Sequence, residues 1–179
     1  MIPKKIYYCW FGGNSKTEFM NNCIDSWRKF LSDYEIIELN ESNFDINQSL
    51  YAKEAYEAQK YAFVSDYVRL KTIYDNGGVY FDVDIELIKD MHEILDKGPY
   101  FGCENGEVIN TGLGFAAEPG NKIIKKMLDD YEGKHFIQEN GELDLSPSPN
   151  KHTKALEFYG WDKKNRFAEI EGTTIYPID

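Results

Sequence analysis

Cysteine is scarce in this sequence and badly placed for a framework. Cys9, Cys23 and Cys103 are odd in number, far apart and contain no CxxC pair, so neither a disulfide scaffold nor a zinc site is indicated, and a reducing, cytoplasmic setting is expected. Long hydrophobic runs are missing too. No stretch approaches the roughly 20 apolar residues that span a bilayer, and Met1-Ile2-Pro3-Lys4-Lys5 leads into no signal-type segment, so no transmembrane segment is expected. Positive charge is the third scarcity. Lys and Arg total 20 against 31 Asp and Glu, a formal net charge of −11, which disfavours nucleic acid and anionic lipid as partners. The one basic cluster, Lys122, Lys125 and Lys126, has helical spacing and reads as a solvated face.

What is present suffices for a core. A chain of 179 residues, 42% hydrophobic and 15% aromatic, fits one globular domain. Ile6 to Phe11 reads as a buried first strand running into a turn at Gly12-Gly13. Phe19, Cys23, Trp27 and Phe30 repeat at helical spacing within Thr17 to Leu31, and Tyr34 to Leu39 reads as a second strand. Asn40 to Leu50 is polar and reads as an irregular loop. The strongest helical pattern runs from about Ala58 to Asp75, through Phe63, Tyr67, Leu70 and Tyr74. Asn76-Gly77-Gly78 ends it with residues that accept left-handed backbone, turning the chain into the strand Val79-Tyr80-Phe81-Asp82. Tyr100 to Cys103, Val108-Ile109 and Leu113 to Ala117 read as short strands, Asn121 to Tyr131 as a helix, and Thr174 to Ile178 as a closing strand. Glu139 to Asn150, with Pro147 and Pro149, is expected to be a mobile loop. The alternation is that of an α/β protein.

Asp82 and Asp84 are two apart, so on a regular strand they share a face and can reach one cation. Carboxylate ligands of this kind suit Mg2+ or Mn2+, whose remaining positions are filled by water and phosphate oxygens. Asp66 and Arg69, three apart on the preceding helix, lie on one face, and the Gly-Gly turn folds that face back toward the acidic pair. The bland alternative for these two is a surface ion pair; for the acidic pair it is two carboxylates that merely face solvent.

The run Ala62-Phe63-Val64-Ser65-Asp66-Tyr67-Val68-Arg69-Leu70, followed by Tyr74-Asp75-Asn76-Gly77-Gly78-Val79-Tyr80-Phe81-Asp82-Val83-Asp84, resembles the signature of the DXD-containing sugar transferases. That group includes bacterial capsular-polysaccharide glycosyltransferases, yeast-type mannosyltransferases and, more distantly, the glucosylating clostridial toxins. The opening Ile2 to Gly13 is similar to the family's first strand, and Asn110-Thr111-Gly112 with Ala117-Glu118-Pro119-Gly120 to a later block. The resemblance implies a GT-A-like fold, a Rossmann-like mixed sheet flanked by helices. It also implies a UDP- or GDP-sugar donor, a glycan acceptor, Mn2+ or Mg2+, and transfer with retention of anomeric configuration. The implied setting is capsular or cell-surface polysaccharide synthesis, peripheral to a membrane-bound assembly system.

Carried over by position, Asp82, Asp84 and Asn110 form the catalytic set. Asp84 ligates the metal directly, and Asp82 supports the metal and contacts the ribose and sugar side of the donor. Asp66 and Arg69 hydrogen-bond sugar hydroxyls, Trp10 and Phe11 pack near the nucleobase, and Asn110 sits beneath the donor sugar. Glu104 is a further acid near the site. Relatives continue past the counterpart of Ile175 to Ile178 into a histidine followed by Ser-Trp, so residues 1–179 are expected to form a single catalytic domain lacking the family's C-terminal segment. Where relatives carry Thr-Gly-Pro, this chain has Ser146-Pro147-Ser148-Pro149, then His152, which is expected on the surface.

Two other classes compete. A haloacid-dehalogenase-type phosphotransferase would use Asp82 as nucleophile with magnesium, but its motif has Thr or Val where this chain has Glu86 and opens its domain rather than following a long helix. A noncatalytic nucleotide- or carbohydrate-binding module is the other.

Overall fold

The structure is a computed structural model and describes residues 1–178. In chain order the elements are β1 (Lys5–Cys9), α1 (Glu18–Phe30), β2 (Glu35–Leu39), a 3-10 turn (Ile46–Gln48), α2 (Leu50–Glu57), α3 (Tyr61–Asn76), β3 (Gly78–Tyr80), α4 (His92–Leu95), β4 (Tyr100–Gly102), β5 (Phe115–Ala117), α5 (Lys122–Asp129), α6 (Ser148–Phe158), β6 (Ala168–Ile170) and β7 (Thr173–Tyr176). The strands form one seven-stranded mixed sheet in the order β2-β1-β3-β5-β4-β7-β6. β1 runs parallel to β2 and β3, while β5 is antiparallel to both β3 and β4. No helix of the described residues is long and apolar enough to cross a membrane.

Strand alternation divides the core into two layers. Ile6, Tyr8, Val79, Phe81, Tyr100 and Ala116 face α1 and α4, where Trp27, Leu31 and Leu95 meet them. Tyr7, Cys9, Tyr80, Phe101, Phe115 and Ala117 face the other way, onto α2, α3, α5 and α6. The ends of α1 are set locally. Thr17 Oγ1 accepts from the Met20 N–H at 3.3 Å, and Glu18 at the start with Arg28 and Lys29 at the end suit the helix dipole. The glycine turn between α3 and β3 is as expected: Gly77 and Gly78 have φ of 64° and 118°. A Cβ at Gly77 would stand 2.6 Å from Pro119 Cδ, and one at Gly78 would stand 2.8 Å from the Lys5 carbonyl oxygen.

Two local expectations are corrected. α3 starts only at Tyr61 because Gln59 takes a φ of 58° that breaks helix continuity; before it, residues 50–57, of which the sequence reading assigns only Leu50, form α2, capped by Ser49 Oγ at 3.3 Å from the Ala52 N–H. The 139–150 segment, expected as a loop, is helical at its end. Ile137 bridges to Leu143, Asp144 pairs with Lys151 at 2.7 Å, and α6 begins at Ser148. Pro149, read as a loop residue, sits in the first turn of α6, where a missing N–H costs nothing. Lys122 and Lys125 do form a solvated, ion-paired face, with Glu171 and with Asp129 and Glu132.

α4 is joined to the loop before β2 by His92, whose Nδ1 meets Asp90 at 2.7 Å and Nε2 meets Asp33 at 2.9 Å. Those bonds, to Asp33 first and Asp90 second, raise the imidazole pKa. A raised folded-state pKa gives stabilisation that is full below the unfolded value of about 6.5 and lost as pH rises through the folded one. The wild type should therefore lose about 1–2 °C in unfolding midpoint between about pH 6 and pH 8 that His92→Gln does not lose, the scale of a solvent-exposed ion pair. Parallel pH profiles for the two proteins in thermal unfolding would contradict this.

Candidate active site

β3 is only three residues long and ends at Tyr80. The Phe81 N–H still reaches the Tyr7 carbonyl at 3.1 Å, and the chain then turns, the Ile85 N–H closing on the Asp82 carbonyl at 3.1 Å. Asp82 and Asp84 therefore sit in a turn at the strand tip, and the expectation that they share a face of a regular strand is corrected: the inter-strand pairing that would impose the two-residue period stops before them. α1 anchors the chain beyond the turn. Trp27 Nε1 donates to the Ile85 carbonyl at 2.7 Å, and the Leu87 N–H donates to Ser26 Oγ at 2.8 Å.

Beside this turn lies a buried ion-pair cluster. Asp66 and Arg69 are 8% and 4% exposed, so the surface-pair reading is overturned: packing of α3 on the sheet carries this helix face inward. Arg69 Nη2 is 3.2 Å from both Asp66 Oδ1 and Asp82 Oδ1, with Nη1 at 3.5 Å from Asp82 Oδ2. Its guanidinium lies 4.9 Å from the Tyr80 ring centre, and its Nε donates to the Ser65 carbonyl at 3.1 Å. Burial alone would lower the Arg69 pKa, but Asp82, Tyr80 and Asp66 outweigh it and hold it above its ordinary value. Burial pushes the Asp66 carboxyl up, with Arg69 and Ser148 acting against that rise. Two carboxylates against one guanidinium leave the cluster with a formal charge of −1 when both acids are ionised.

The Asn110–Gly112 segment closes over Asp82. The Gly112 carbonyl accepts from the Asp82 N–H at 3.0 Å, and Asn110 Oδ1 accepts from the Gly112 N–H at 2.7 Å. A Cβ on Gly112 would stand 2.2 Å from Asp82 Oδ2 and 3.0 Å from both Arg69 Nη1 and Asn110 Oδ1. Asp66, Arg69, Asp82 and Asn110 are thus brought together. Trp10 and Phe11 follow β1 on a separate stretch. Phe11 is in the core, packed edge-on to Tyr56, whereas Trp10 is partly exposed, its Nε1 donating to the Asn14 carbonyl at 2.6 Å with Lys16 Nζ 5.3 Å from its ring centre. Glu104 lies on the exposed turn after β4, its N–H bonded to the Val108 carbonyl.

The two acids of the turn differ in availability. Asp82 accepts from Tyr80 Oη at 2.8 Å as well as from Arg69, whereas Asp84 is exposed and no ion pair or hydrogen bond engages its carboxylate among the described residues. Hard oxygen donors from one or two carboxylates fit Mg2+ or Mn2+, with water and phosphate completing the shell. No group of three His, Cys, Asp or Glu is placed to hold a metal among the described residues, so protein groups would supply only part of such a site. A separate cleft of about 370 Å³, lined by Tyr67, Lys71, Tyr74, Lys125 and Tyr131, shares no residue with this cluster.

Several participants escaped the sequence reading. Tyr80 reads as a core strand residue, and Gly112 as part of a turn. Ser148 Oγ donates to Asp66 Oδ1 at 2.8 Å. His152, expected on the surface, is buried between Thr111 Oγ1 at 3.1 Å and Tyr131 Oη at 3.0 Å, because its segment folds as a helix that packs on α5. The i, i+4 spacing of Ser148 and His152 is the one sequence signal that would have linked them.

Residues 17–101 match the family described as "Glycosyltransferase sugar-binding region containing DXD motif". Among solved structures, the chain is similar to "PaToxG Glycosyltransferase", with a TM-score of 0.67 and 20% identity over 88% of this chain and 69% of that one. It is also similar to "Structure of Transferase mutant-C23S,C199S", with a TM-score of 0.55 and 10% identity over 84% of each chain. At these identities the likeness to solved structures is one of fold. Comparison with curated proteins gave no match.

The close approach at Gly112 makes a direct prediction. Gly112→Ala should lower unfolding free energy by about 1–3 kcal/mol, the cost of overpacking a filled site, in a denaturant titration; a neutral substitution would mean that the loop stands farther from Asp82 than 2.2 Å from a Cβ implies.

Proposed function

We propose that this chain, whose residues 17–101 match a DXD-type glycosyltransferase sugar-binding region in a GT-A-like fold, transfers a sugar from a UDP- or GDP-sugar to a glycan or other hydroxyl acceptor. One observation carries the reading: inside the matched region, Arg69 ties Asp66 to Asp82 while Asp84 stays free at the tip of an inner strand. Asp84, backed by Asp82, would hold Mn2+ or Mg2+, and when bound the cation supplies Lewis-acid stabilisation of the departing diphosphate. The charge balance requires such help, since a carboxylate about 4 Å from a phosphate charge is repelled by roughly 4 kcal/mol at an effective dielectric near 20.

The chain's own groups have distinct tasks in this proposal. Asp66 and Arg69 orient hydroxyls of the donor sugar, and Asn110, fixed by its bond to the Gly112 N–H, lies beneath that sugar. The exposed part of the Trp10 ring receives the base, with Phe11 as its support in the core. Asp82, engaged by Arg69 and Tyr80, is not free to act as a covalent nucleophile, which disfavours the phosphotransferase reading. Transfer with retention, by a front-face route in which the leaving phosphate helps deprotonate the acceptor, is attached to this reading on the family resemblance. Polysaccharide synthesis at the cytoplasmic side of a membrane-bound assembly system is the setting we attach to this activity, on the family resemblance alone.

A second reading, a nucleotide-sugar-binding module without turnover, draws on the commitment of Asp82 to Arg69, which leaves Asp84 as the free carboxylate of the pair. One set of measurements separates the two. UDP and GDP are titrated with and without Mn2+, and sugar release is then followed across a panel of nucleotide-sugars. Asp84→Asn should fold normally and lose manganese-assisted nucleotide affinity by roughly tenfold or more, as for loss of one charge-assisted contact. Manganese-assisted affinity unchanged by the substitution would refute the site, and metal-dependent binding without sugar release would favour the module.

A further inference from the structure

α6 contributes no residue to the acid turn, yet three of its side chains end on the segments that build the site. Ser148 Oγ donates to Asp66 Oδ1 at 2.8 Å. His152 Nδ1 lies 3.1 Å from Thr111 Oγ1, and Thr153 Oγ1 accepts from the Ile109 N–H at 3.1 Å. His152 and Thr153 thus grip the segment that carries Asn110 and Gly112 on its interior side, while Gly112 meets Asp82 through the carbonyl bond to the Asp82 N–H.

The grip is buried and polar, so its geometry is demanding. His152 is 1% exposed and Thr111 fully buried, and the other ring nitrogen of His152 is taken by Tyr131 Oη at 3.0 Å. Burial, with Arg69 and Lys151 adding to it, pushes the imidazole pKa down to about 3, so the ring is neutral at ordinary pH. A neutral imidazole has one donor and one acceptor nitrogen, and hydroxyls on both sides can serve either role. Every polar atom is then satisfied, and removing one partner would strand another in a dry site.

We propose that His152 is a positioning residue: by holding Thr111 it fixes the Asn110–Gly112 segment against Asp82, so that α6 sets the floor on which the donor sugar rests. The link from segment position to sugar transfer rests on the function proposed above; the link from His152 to the segment stands without it.

The two ring nitrogens can be tested separately. An Asn amide reaches the Nδ1 position and a Gln amide the Nε2 position, so His152→Asn keeps a partner for Thr111 while His152→Gln keeps one for Tyr131. Amide exchange over residues 109–112 is read in the full chain without ligand. His152→Asn should exchange within about twofold of wild type, whereas His152→Gln should exchange about tenfold faster at Asn110 and Gly112, the effect of losing one hydrogen bond from a local structure. Thr111→Val removes the same bond from the other side and should match His152→Gln, which keeps the test intact if a His152 variant fails to fold. Equal exchange in all of the folded variants would overturn the proposal.

Activity supplies the second arm. His152→Gln should lower sugar release roughly 10- to 100-fold, as expected for a catalytic group displaced by up to about 1 Å, with UDP or GDP affinity within about twofold of wild type, and His152→Asn should recover most of the turnover. A Gln variant as active as the Asn variant would remove the positioning role. A wild type that releases no sugar from any donor would sink the glycosyltransferase reading, and the exchange measurement would still decide whether His152 holds the segment.

Discussion

The guanidinium of Arg69, buried between Asp66 and Asp82, is the contact on which the rest of this site depends. A charge in that position is tolerable only when paired, and removing one partner of such a buried pair costs about 3–5 kcal/mol because the other is left stranded. Arg69 therefore does more than stabilise. By occupying Asp82 it separates two carboxylates that look equivalent in the sequence, one tied to α3 and one exposed at the turn. The cluster keeps a formal negative charge with both acids ionised, and Asp84 adds another, so an anionic ligand approaching this turn meets repulsion that a cation would offset.

The fold supplies what that arrangement needs. β3 lies between β1 and β5 in the sheet, so its tip is buttressed from both sides. α1 holds the chain beyond the acid turn through Trp27 and Ser26, and α3 delivers Asp66 and Arg69 from the opposite layer. Gly77 and Gly78 let α3 reverse into β3 within two residues, at conformations and clearances that other side chains would not accept. α6 closes the assembly from outside, through Ser148 and His152. The same few bonds thus hold the fold and the acid turn together.

Much of this was legible in the sequence, for reasons that can be traced. The apolar runs of β1 and β2, the helical period of α1 and α3 and the Asn76-Gly77-Gly78 stop are local signals, and they placed those elements within a few residues. The ordered blocks that hold Asp66, Arg69, Asp82, Asp84 and Asn110 pointed to the DXD family, and the family match over residues 17–101 covers the first four of these. What was not legible depends on contacts between distant segments. Pro147 and Pro149 signal a loop as readily as a helix start, which hides α6 and with it the burial of His152. The turn at Asp82–Ile85 stems from the early end of β3, which depends on its neighbours rather than on its own residues. The depth of Arg69 is likewise set by how α3 packs on the sheet, and spacing alone says only that Asp66 is near it.

The most direct test of the central claim is a crystal structure of the chain with Mn2+ and a nucleoside diphosphate, read through the anomalous signal of the metal. A single manganese peak is predicted adjacent to the Asp84 carboxylate and the diphosphate, with Arg69 still bridging Asp66 and Asp82. A metal and nucleotide bound elsewhere, or an Arg69 released from Asp82 to take the phosphate itself, would contradict it.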